Sequence, residues 1–241
     1  MLVTTGTSPI DIAPAIVRWT TAHPEWRTQI EWGRTVASYA LSGGPGENGW
    51  LALVDPLLPA EGDEHADEVL GRLDGLAAAA GRLEILISIH YHIRSGEKLL
   101  RRYRDRMPVR LWANKTTARR MDDPGALQVI DNAHGPAEIA GVAVAYPIGN
   151  PRRTETPLYF PDLKALAFGD TIVTVGGRAR IWQQGPHSKA WFREKFLPTL
   201  RPLLALDVTT LLITHGEAIV EGGAEQLRAA LQAPPWDDRS G

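Results

Sequence analysis

The stretch that most constrains the fold is residues 85–96, which read I-L-I-S-I-H-Y-H-I-R-S-G. Residues 85–89 are apolar or small and mostly β-branched, a length and composition that predict a buried strand. Two histidines, His90 and His92, follow this run directly. Because α/β folds place ligands and chemistry at the carboxyl ends of buried strands, the sequence predicts a loop that turns both imidazoles toward one point.

The residues before this stretch complete a strand–helix–strand unit. Residues 50–54 predict a strand that ends at Asp55, since the residue before Pro56 is held extended. Residues 65–80 carry apolar side chains on one helical face, and Gly81 follows as a stop signal. This order implies parallel strands joined by a right-handed crossover.

The same patterns predict the remaining elements. Further strands are expected at residues 36–41, 109–113, 127–130, 139–146, 157–160, 165–168, 171–175 and 209–213. Further helices are expected at residues 97–106, 116–121, 188–206 and 223–231, and Pro198 should bend or split the third of these. We expect one domain over residues 1–241, with a tryptophan-rich segment at residues 1–35 and a polar tail at residues 234–241.

Composition narrows the class of protein. With 241 residues, 44% hydrophobic and 22% charged, the chain can bury a sizeable core. The net charge of −2 gives no support for nucleic-acid binding, and the absence of cysteine excludes disulfides and thiolate ligands. The N-terminal residues lack a signal-peptide pattern, and no apolar run approaches the ~18 residues of a membrane span. We therefore expect a cytoplasmic protein with no nucleic-acid or membrane partner.

Four motifs, in order along the chain, resemble those of the metallo-β-lactamase-fold hydrolases. The family's loop H-x-H-x-D-H is similar to residues 90–95, its strand-ending D-P to Asp55-Pro56, its G-D to Gly169-Asp170, and its late G-H-G to residues 214–217, which contain His215. The resemblance covers roughly residues 36–231. It implies a mixed α/β (α+β) fold, the four-layer αββα sandwich of the metallo-β-lactamases.

The resemblance also implies where metals would bind. In the family, the histidines of H-x-H and a third histidine hold the first metal, which here gives His90 and His92. The second metal takes the D-H pair and the late histidine, and the G-D aspartate bridges both. The implied metal ligands of this chain are therefore His90, His92, Asp170 and His215, of which His92 and Asp170 would also act in catalysis.

Several family ligands are replaced in this chain. Arg94 stands where the family has aspartate, Ser95 where it has histidine, and Pro151 aligns with the third histidine of the first site. A catalytic zinc normally takes three protein ligands, and an arginine side chain stays positively charged. We therefore expect no binuclear centre, and either no metal or one weakly bound zinc ion. Arg94 could itself pair with Asp170.

Arginines replace or flank the lost ligands. Arg94, Arg152 and Arg153 present planar donor groups that suit phosphates and carboxylates, so they are candidate ligand-binding residues for a small anion. Purely structural roles are open for the same motifs. Asp55 is predicted to hold neighbouring loops by hydrogen bonds, and the histidines could be hydrogen-bonded residues of an inactive site.

Three functions fit these observations. The first is a binding protein without a binuclear centre that uses its arginines for a small anionic ligand. The second is a mononuclear metal-dependent hydrolase of an ester, thioester or lactam-like bond, with His90, His92 and Asp170 around the metal. The third is an assembly protein, for instance a homodimer, that uses the tryptophans of residues 1–35 as an interface.

Overall fold

The protein is represented by a computed structural model that describes residues 6–23, 33–44, 46–149, 155–183 and 189–236. The chain divides into two compact units, Met1–Arg27 with Arg34–Ile130 and Thr28–Gly33 with Asp131–Gly241. Each unit has its own sheet and its own hydrophobic core. The expectation of one domain stays a prediction.

The first unit contains a seven-stranded mixed sheet whose strands follow one another in chain order. Its strands are β1 Gly6–Ala13, β2 Ile16–Ala22, β3 Thr35–Gly43, β4 Trp50–Val54, β5 Arg82–Leu86, β6 Val109–Ala113 and β7 Leu127–Val129. Strands β1 to β4 pair antiparallel, and β4 to β7 pair parallel. The parallel β4–β5 pair confirms the predicted crossover unit.

Helices cover one face of this sheet. They are α1 Ala66–Ala78 and α2 Gly96–Tyr103, with 3₁₀ turns at Gly46–Asn48, His90–Ile93, Lys115–Arg120 and Pro124–Ala126. The apolar stripe of α1 buries Val69 and Leu73, which belong to one cluster with Leu53, Ile85 and Leu111 of the sheet. Burial of this stripe against the sheet stabilises the crossover.

Trp19 shows the role of aromatic residues near the N-terminus. Its side chain is fully buried in the core of the first unit, and its Nε1 donates a hydrogen bond to the Leu57 carbonyl at 2.9 Å. Packing therefore accounts for this tryptophan. Trp26 and Trp32 lie outside the described residues.

The second unit contains a five-stranded sheet in the order β14-β11-β10-β9-β8 and a separate hairpin of β12 and β13. The strands are β8 Ala137–Ile139, β9 Ala143–Ala145, β10 Leu158–Phe160, β11 Ala165–Phe168, β12 Ile172–Val175, β13 Arg178–Ile181 and β14 Thr210–Ile213. Its α-helices are α3 Lys189–Trp191, α4 Leu197–Leu200 and α5 Gly223–Gln232.

The helix predicted at residues 188–206 is composite. Between α3 and α4 the backbone forms a π-helix over Phe192–Phe196, and after α4 a 3₁₀ helix over Arg201–Ala205. Pro198 and Pro202 lack the N–H that would continue regular helical bonding, so the hydrogen-bond period changes around them. The backbone stays helical through Pro198, so the predicted bend or split is present only as a change of hydrogen-bond period. We call residues 189–205 the composite helix.

Two strand predictions in this unit were incomplete. The strand predicted at residues 139–146 begins in a hairpin turn, because Ala140 and Gly141 have φ of 55° and 66° and reverse the chain between β8 and β9. Strand β13 was not predicted, since its sequence R-A-R-I lacks a clear apolar run. It pairs with β12 across Gly176-Gly177, both at positive φ.

Within the described ranges, no helix has the length and apolar character that crossing a bilayer requires.

A partly buried polar network ties α1 to α2 in the first unit. The Asp74 carboxylate accepts hydrogen bonds from the Arg102 guanidinium, through Nε at 3.0 Å, and from the Tyr103 hydroxyl at 2.8 Å. The bond from Arg102 lowers the pKa of Asp74 below its ordinary value. Burial, together with the bond to Asp74, raises the pKa of the Tyr103 hydroxyl, which therefore stays protonated.

We expect Asp74→Asn to destabilise the protein by about 1 kcal/mol at pH 7, because it removes a charge-assisted bond that is partly exposed to solvent. A carboxylate with a lowered pKa in the folded state contributes stability above its unfolded pKa of about 3.9, and loses it as the pH falls through the folded value. The difference between wild type and variant in urea unfolding should thus shrink below about pH 4. Asp122→Asn, at an exposed position of the same unit, is the control. A constant difference at every pH would contradict this account.

Candidate functional site

The centre of the candidate site in the first unit is Asp55, which directly follows β4 and is completely buried. Its Oδ1 accepts the Ser88 backbone N–H at 2.8 Å, and its Oδ2 accepts the Ser88 hydroxyl at 2.5 Å. Its backbone carbonyl accepts the Ser38 hydroxyl at 2.9 Å. Asp55, at the end of β4, therefore bonds to Ser38 within β3 and to Ser88 in the loop after β5.

Asp55 also shifts the end of β5. The predicted strand at residues 85–89 is observed at Arg82–Leu86, so His90 does not follow the strand directly. The Ile87 N–H still bonds the Trp112 carbonyl at 2.9 Å, but the Ser88 N–H turns to the Asp55 carboxylate. The Asp55 side chain thus replaces a backbone carbonyl of the neighbouring strand as the acceptor for Ser88. The strand ends there, and the chain continues into the 3₁₀ turn His90–Ile93.

His92 lies in this turn with only 4% of its surface exposed. Its Nδ1 is 2.9 Å from Oδ2 of Asp55. A carboxylate at one ring nitrogen fixes the orientation and tautomer of an imidazole, as it does for histidines that bind metals. A metal at His92 would therefore bind at Nε2.

His90 has different surroundings. It is only partly buried, and its ring contacts that of Tyr91 at 3.7 Å between centroids. Tyr91 is exposed and lies under the Arg120 guanidinium at 4.6 Å. The metal-binding role predicted for His90 stays a prediction.

Arg94 ends the turn with an unusual backbone. The backbone φ of Arg94 is 36°, a value that residues other than glycine rarely adopt. Asp55 also has a positive φ, of 47°. The Arg94 guanidinium is partly buried, and its Nη1 donates to the Asp55 carbonyl at 3.5 Å, a long bond. The next residue, Ser95, receives the Leu58 N–H on its hydroxyl at 2.9 Å, so it is a structural residue here.

Three of the predicted positions cannot be placed. Arg152 and Arg153, the other candidate anion-binding residues, lie outside the described residues, as does Pro151.

In the second unit, the parallel pairing of β11 with β14 brings Asp170 and His215 together. Phe168 pairs with Ile213, so both strands end at the same edge and each candidate residue follows two positions later. Both side chains are buried, and Oδ1 of Asp170 is 3.1 Å from Nε2 of His215. The predicted association of these two residues is therefore present within the unit.

This distance is compatible with two chemical states. It fits a hydrogen bond between an imidazole N–H and a carboxylate. Two ligands at about 2.0–2.1 Å from one zinc ion, at a near-tetrahedral angle, are also roughly 3.3 Å apart. The Asp170–His215 pair could therefore bind a metal ion at its present spacing. Without a metal ion, the two side chains can hydrogen-bond to each other. The Trp182 ring contacts that of His215 edge-on at 6.2 Å and forms an apolar wall.

Glu155 fixes the turn that carries Asp170. This buried carboxylate accepts the N–H groups of Gly169 and Thr171 on Oε1, both at 3.1 Å, and the Thr171 hydroxyl on Oε2 at 2.6 Å. The amides on either side of Asp170 are therefore held by one side chain, which makes Glu155 a positioning residue.

Gly216 allows the His215 loop to approach β12. Its φ is 107°, and a Cβ at this position would lie 2.6 Å from the Thr174 carbonyl oxygen. The Thr174 N–H bonds the His215 carbonyl at 3.0 Å. This close approach admits only glycine, which gives the glycine after His215 a structural reason.

Sequence reasoning missed Ser88 and Glu155. Ser88 carried a usable signal, since it is the one polar residue in the run I-L-I-S-I. Glu155 carried none, because it follows a stretch without periodicity. His92 in the first unit, and Asp170 with His215 in the second, are buried side chains that could each offer one ligand atom to a metal ion. The predictions that all four implied ligands converge, and that Arg94 pairs with Asp170, stay predictions.

We expect Glu155→Ala to destabilise the protein by about 2–4 kcal/mol, because it leaves two buried backbone N–H groups without their acceptor. Urea unfolding at pH 7 measures the change. Glu138→Ala, at an exposed strand position of the same unit, should change stability by less than about 0.5 kcal/mol. Equal effects of the two substitutions would show that the Glu155 bonds do not hold the turn.

Comparisons of the sequence found no relative. No protein-family model matches the chain, and no curated protein matches it.

Comparison of the structure found close neighbours in fold. A metallo-β-lactamase from Erythrobacter litoralis is 16% identical with a TM-score of 0.60, and the match covers 96% of this chain and 98% of that one. One from Hirschia baltica is 13% identical with a TM-score of 0.59, covering 92% and 96%. One from Pontibacter korlensis is 14% identical with a TM-score of 0.58, covering 93% and 98%. The predicted fold class is confirmed, and the chain has the metallo-β-lactamase fold.

Proposed function

We propose that this chain is a metallo-β-lactamase-fold protein with an incomplete metal site, which holds no binuclear zinc centre and binds a small anion through arginine. The observation that carries the proposal is the ligand count. The family resemblance leaves His90, His92, Asp170 and His215 as implied ligands, while Arg94, Ser95 and Pro151 stand at the other family positions. Since each catalytic zinc normally takes three protein ligands, four ligands are too few for two ions.

The positive charge of Arg94 supports the proposal that this site binds an anion. Arg94 stands where the family resemblance has an acidic ligand, and a guanidinium does not lose its proton in a protein. It therefore repels a metal cation and attracts a carboxylate or phosphate, which its donor geometry suits.

The backbone at Arg94 gives independent support. Strained conformations persist where the surrounding structure enforces them, and they cluster at functional sites. Arg94 and Asp55 are both at positive φ and are joined by the bond from Nη1 to the Asp55 carbonyl. This bond gives the Arg94 side chain a preferred direction, which supports a binding role.

A mononuclear metal-dependent hydrolase is the second candidate, and the Asp55–His92 contact favours it. Asp55 orients His92 as carboxylates orient metal-binding histidines, and Glu155 holds the turn of Asp170. A bound zinc ion would supply Lewis acidity toward an ester, thioester or lactam-like bond. Asp170 and His92 would then have the catalytic roles that the family resemblance implies.

Metal content separates these candidates. We expect the protein, purified without chelators or nickel resin, to contain well under two zinc equivalents by elemental analysis, because the available ligands cannot complete two sites. A variant with Arg94→Asp, Ser95→His and Pro151→His restores the family's ligand types and should take up more zinc.

Two tightly held zinc ions in the wild type would overturn the proposal. One firmly held equivalent, together with zinc-dependent hydrolysis of p-nitrophenyl acetate that His215→Ala abolishes, would establish the second candidate instead.

We expect inorganic phosphate to raise the melting temperature of the wild type, because a ligand that binds only the folded state stabilises it. Arg94→Gln should lose most of this rise, while Arg101→Gln, at an exposed position on α2, should retain it. Glutamine leaves a side chain of similar length on the same strained backbone. An equal rise in all three proteins would show that Arg94 does not bind the anion.

A further inference from the structure

A cavity of about 940 Å³ lies within the second unit, and the proposed function makes no use of it. One wall is the composite helix, and another is formed by α5 and the segment that follows it. A volume of this size falls in the range of small-molecule sites, which are about 300–1,000 Å³. All residues named below as its lining belong to the one unit.

The lining combines positive charge with apolar surface. On the composite helix it presents Arg193, Leu197, Arg201 and Leu204, spaced by four, four and three residues and hence on one helical face. On α5 it presents Arg228 and Leu231, three residues apart. Arginine and leucine thus alternate along both walls.

The arginines and leucines that line the cavity differ in their exposure to solvent. The three arginines are exposed, whereas the three leucines are partly buried and pack against the hydrophobic core of the unit. The leucines therefore form an apolar floor, and the guanidinium groups lie toward solvent. Among the described residues that line the cavity, none is acidic.

Hydrogen bonds hold the wall that follows α5. The Trp236 N–H bonds the Ile181 carbonyl at 2.7 Å, and the Gln183 N–H bonds the Trp236 carbonyl at 2.9 Å. Arg180 adds a bond from Nη2 to the Pro234 carbonyl at 3.0 Å. The segment is thereby fixed along the end of β13, so this side of the cavity is formed before any ligand arrives.

The π-helical turn of the composite helix is a further feature that favours a binding site. Arg193 lies in the π-helix Phe192–Phe196, and π-helical turns are frequent at functional sites. Arg193 has one acidic neighbour, Glu194, at 3.4 Å in an exposed pair. Such a pair contributes little and is readily exchanged for another anion.

We propose that this cavity binds a single-chain amphiphilic anion, such as a medium-chain fatty acid. The apolar chain packs on Leu197, Leu204 and Leu231. The carboxylate pairs with Arg201 and Arg228, whose donor groups match its geometry. The proposal is independent of the anion site proposed at Arg94.

Calorimetric titration of the full chain with decanoate, below its micelle-forming concentration, tests the proposal. We expect saturable binding, and a dissociation constant raised about tenfold in the double variant Arg201→Gln/Arg228→Gln, because it removes charge-assisted bonds. Arg178→Gln, at an exposed arginine on β13 that does not line the cavity, should bind like the wild type.

Ligand variation tests the apolar part without changing the protein. From butyrate to decanoate, affinity should rise about three- to fourfold for each added methylene that is buried. Decanol should bind more weakly than decanoate, because it lacks the charge.

Several results would overturn the proposal. They are the absence of decanoate binding, equal binding by the double arginine variant, equal affinity for decanol, or affinity independent of chain length. Since the substituted arginines are exposed, the variants should melt like the wild type, so a changed affinity reports on the site and not on the fold.

Discussion

The hydrogen bonds of the buried Asp55 carboxylate are the interactions on which the candidate site in the first unit depends. Isolated charge in the protein interior is costly unless it is hydrogen-bonded. Asp55 meets this condition through the Ser88 amide and hydroxyl and through His92. The same bonds end β5 early, start the 3₁₀ turn and orient an imidazole. One charge requirement therefore decides both local backbone structure and the chemistry available at the loop.

The second unit uses the same device with a different residue. Glu155 is buried and accepts the amides on either side of Asp170, so a carboxylate again holds the loop that carries a candidate ligand. In each unit a buried carboxylate therefore positions a candidate metal ligand without being a candidate ligand itself. Asp55 positions His92, and Glu155 positions Asp170. Both carboxylates also satisfy buried backbone N–H groups, so the fold requires them whether or not a metal ion binds.

The two proposed anion sites differ in physical character. Arg94 is partly buried on a strained backbone, and this setting suits a small anion that binds in one orientation. The arginines of the cavity in the second unit are exposed above leucines, an arrangement that suits a ligand with an apolar body and a charged end. The net charge of −2 gives no hint of either site, because local arrangement and not total charge creates each one.

The sequence by itself determined the order of most strands and helices and the parallel pairing of β4 with β5, because apolar periodicity and turn residues are local signals. The fold class followed from the resemblance of four ordered motifs to those of a known family. It also identified Asp55, His92, Asp170 and His215 as residues of interest, since their motifs are short and contiguous. Only the tertiary structure decided that Ser88 and Glu155 support them, that β8 and β9 form a hairpin, and that alternating arginines and leucines line one cavity. These features arise from contacts between residues distant in sequence, and no local pattern records which buried amide meets which carboxylate.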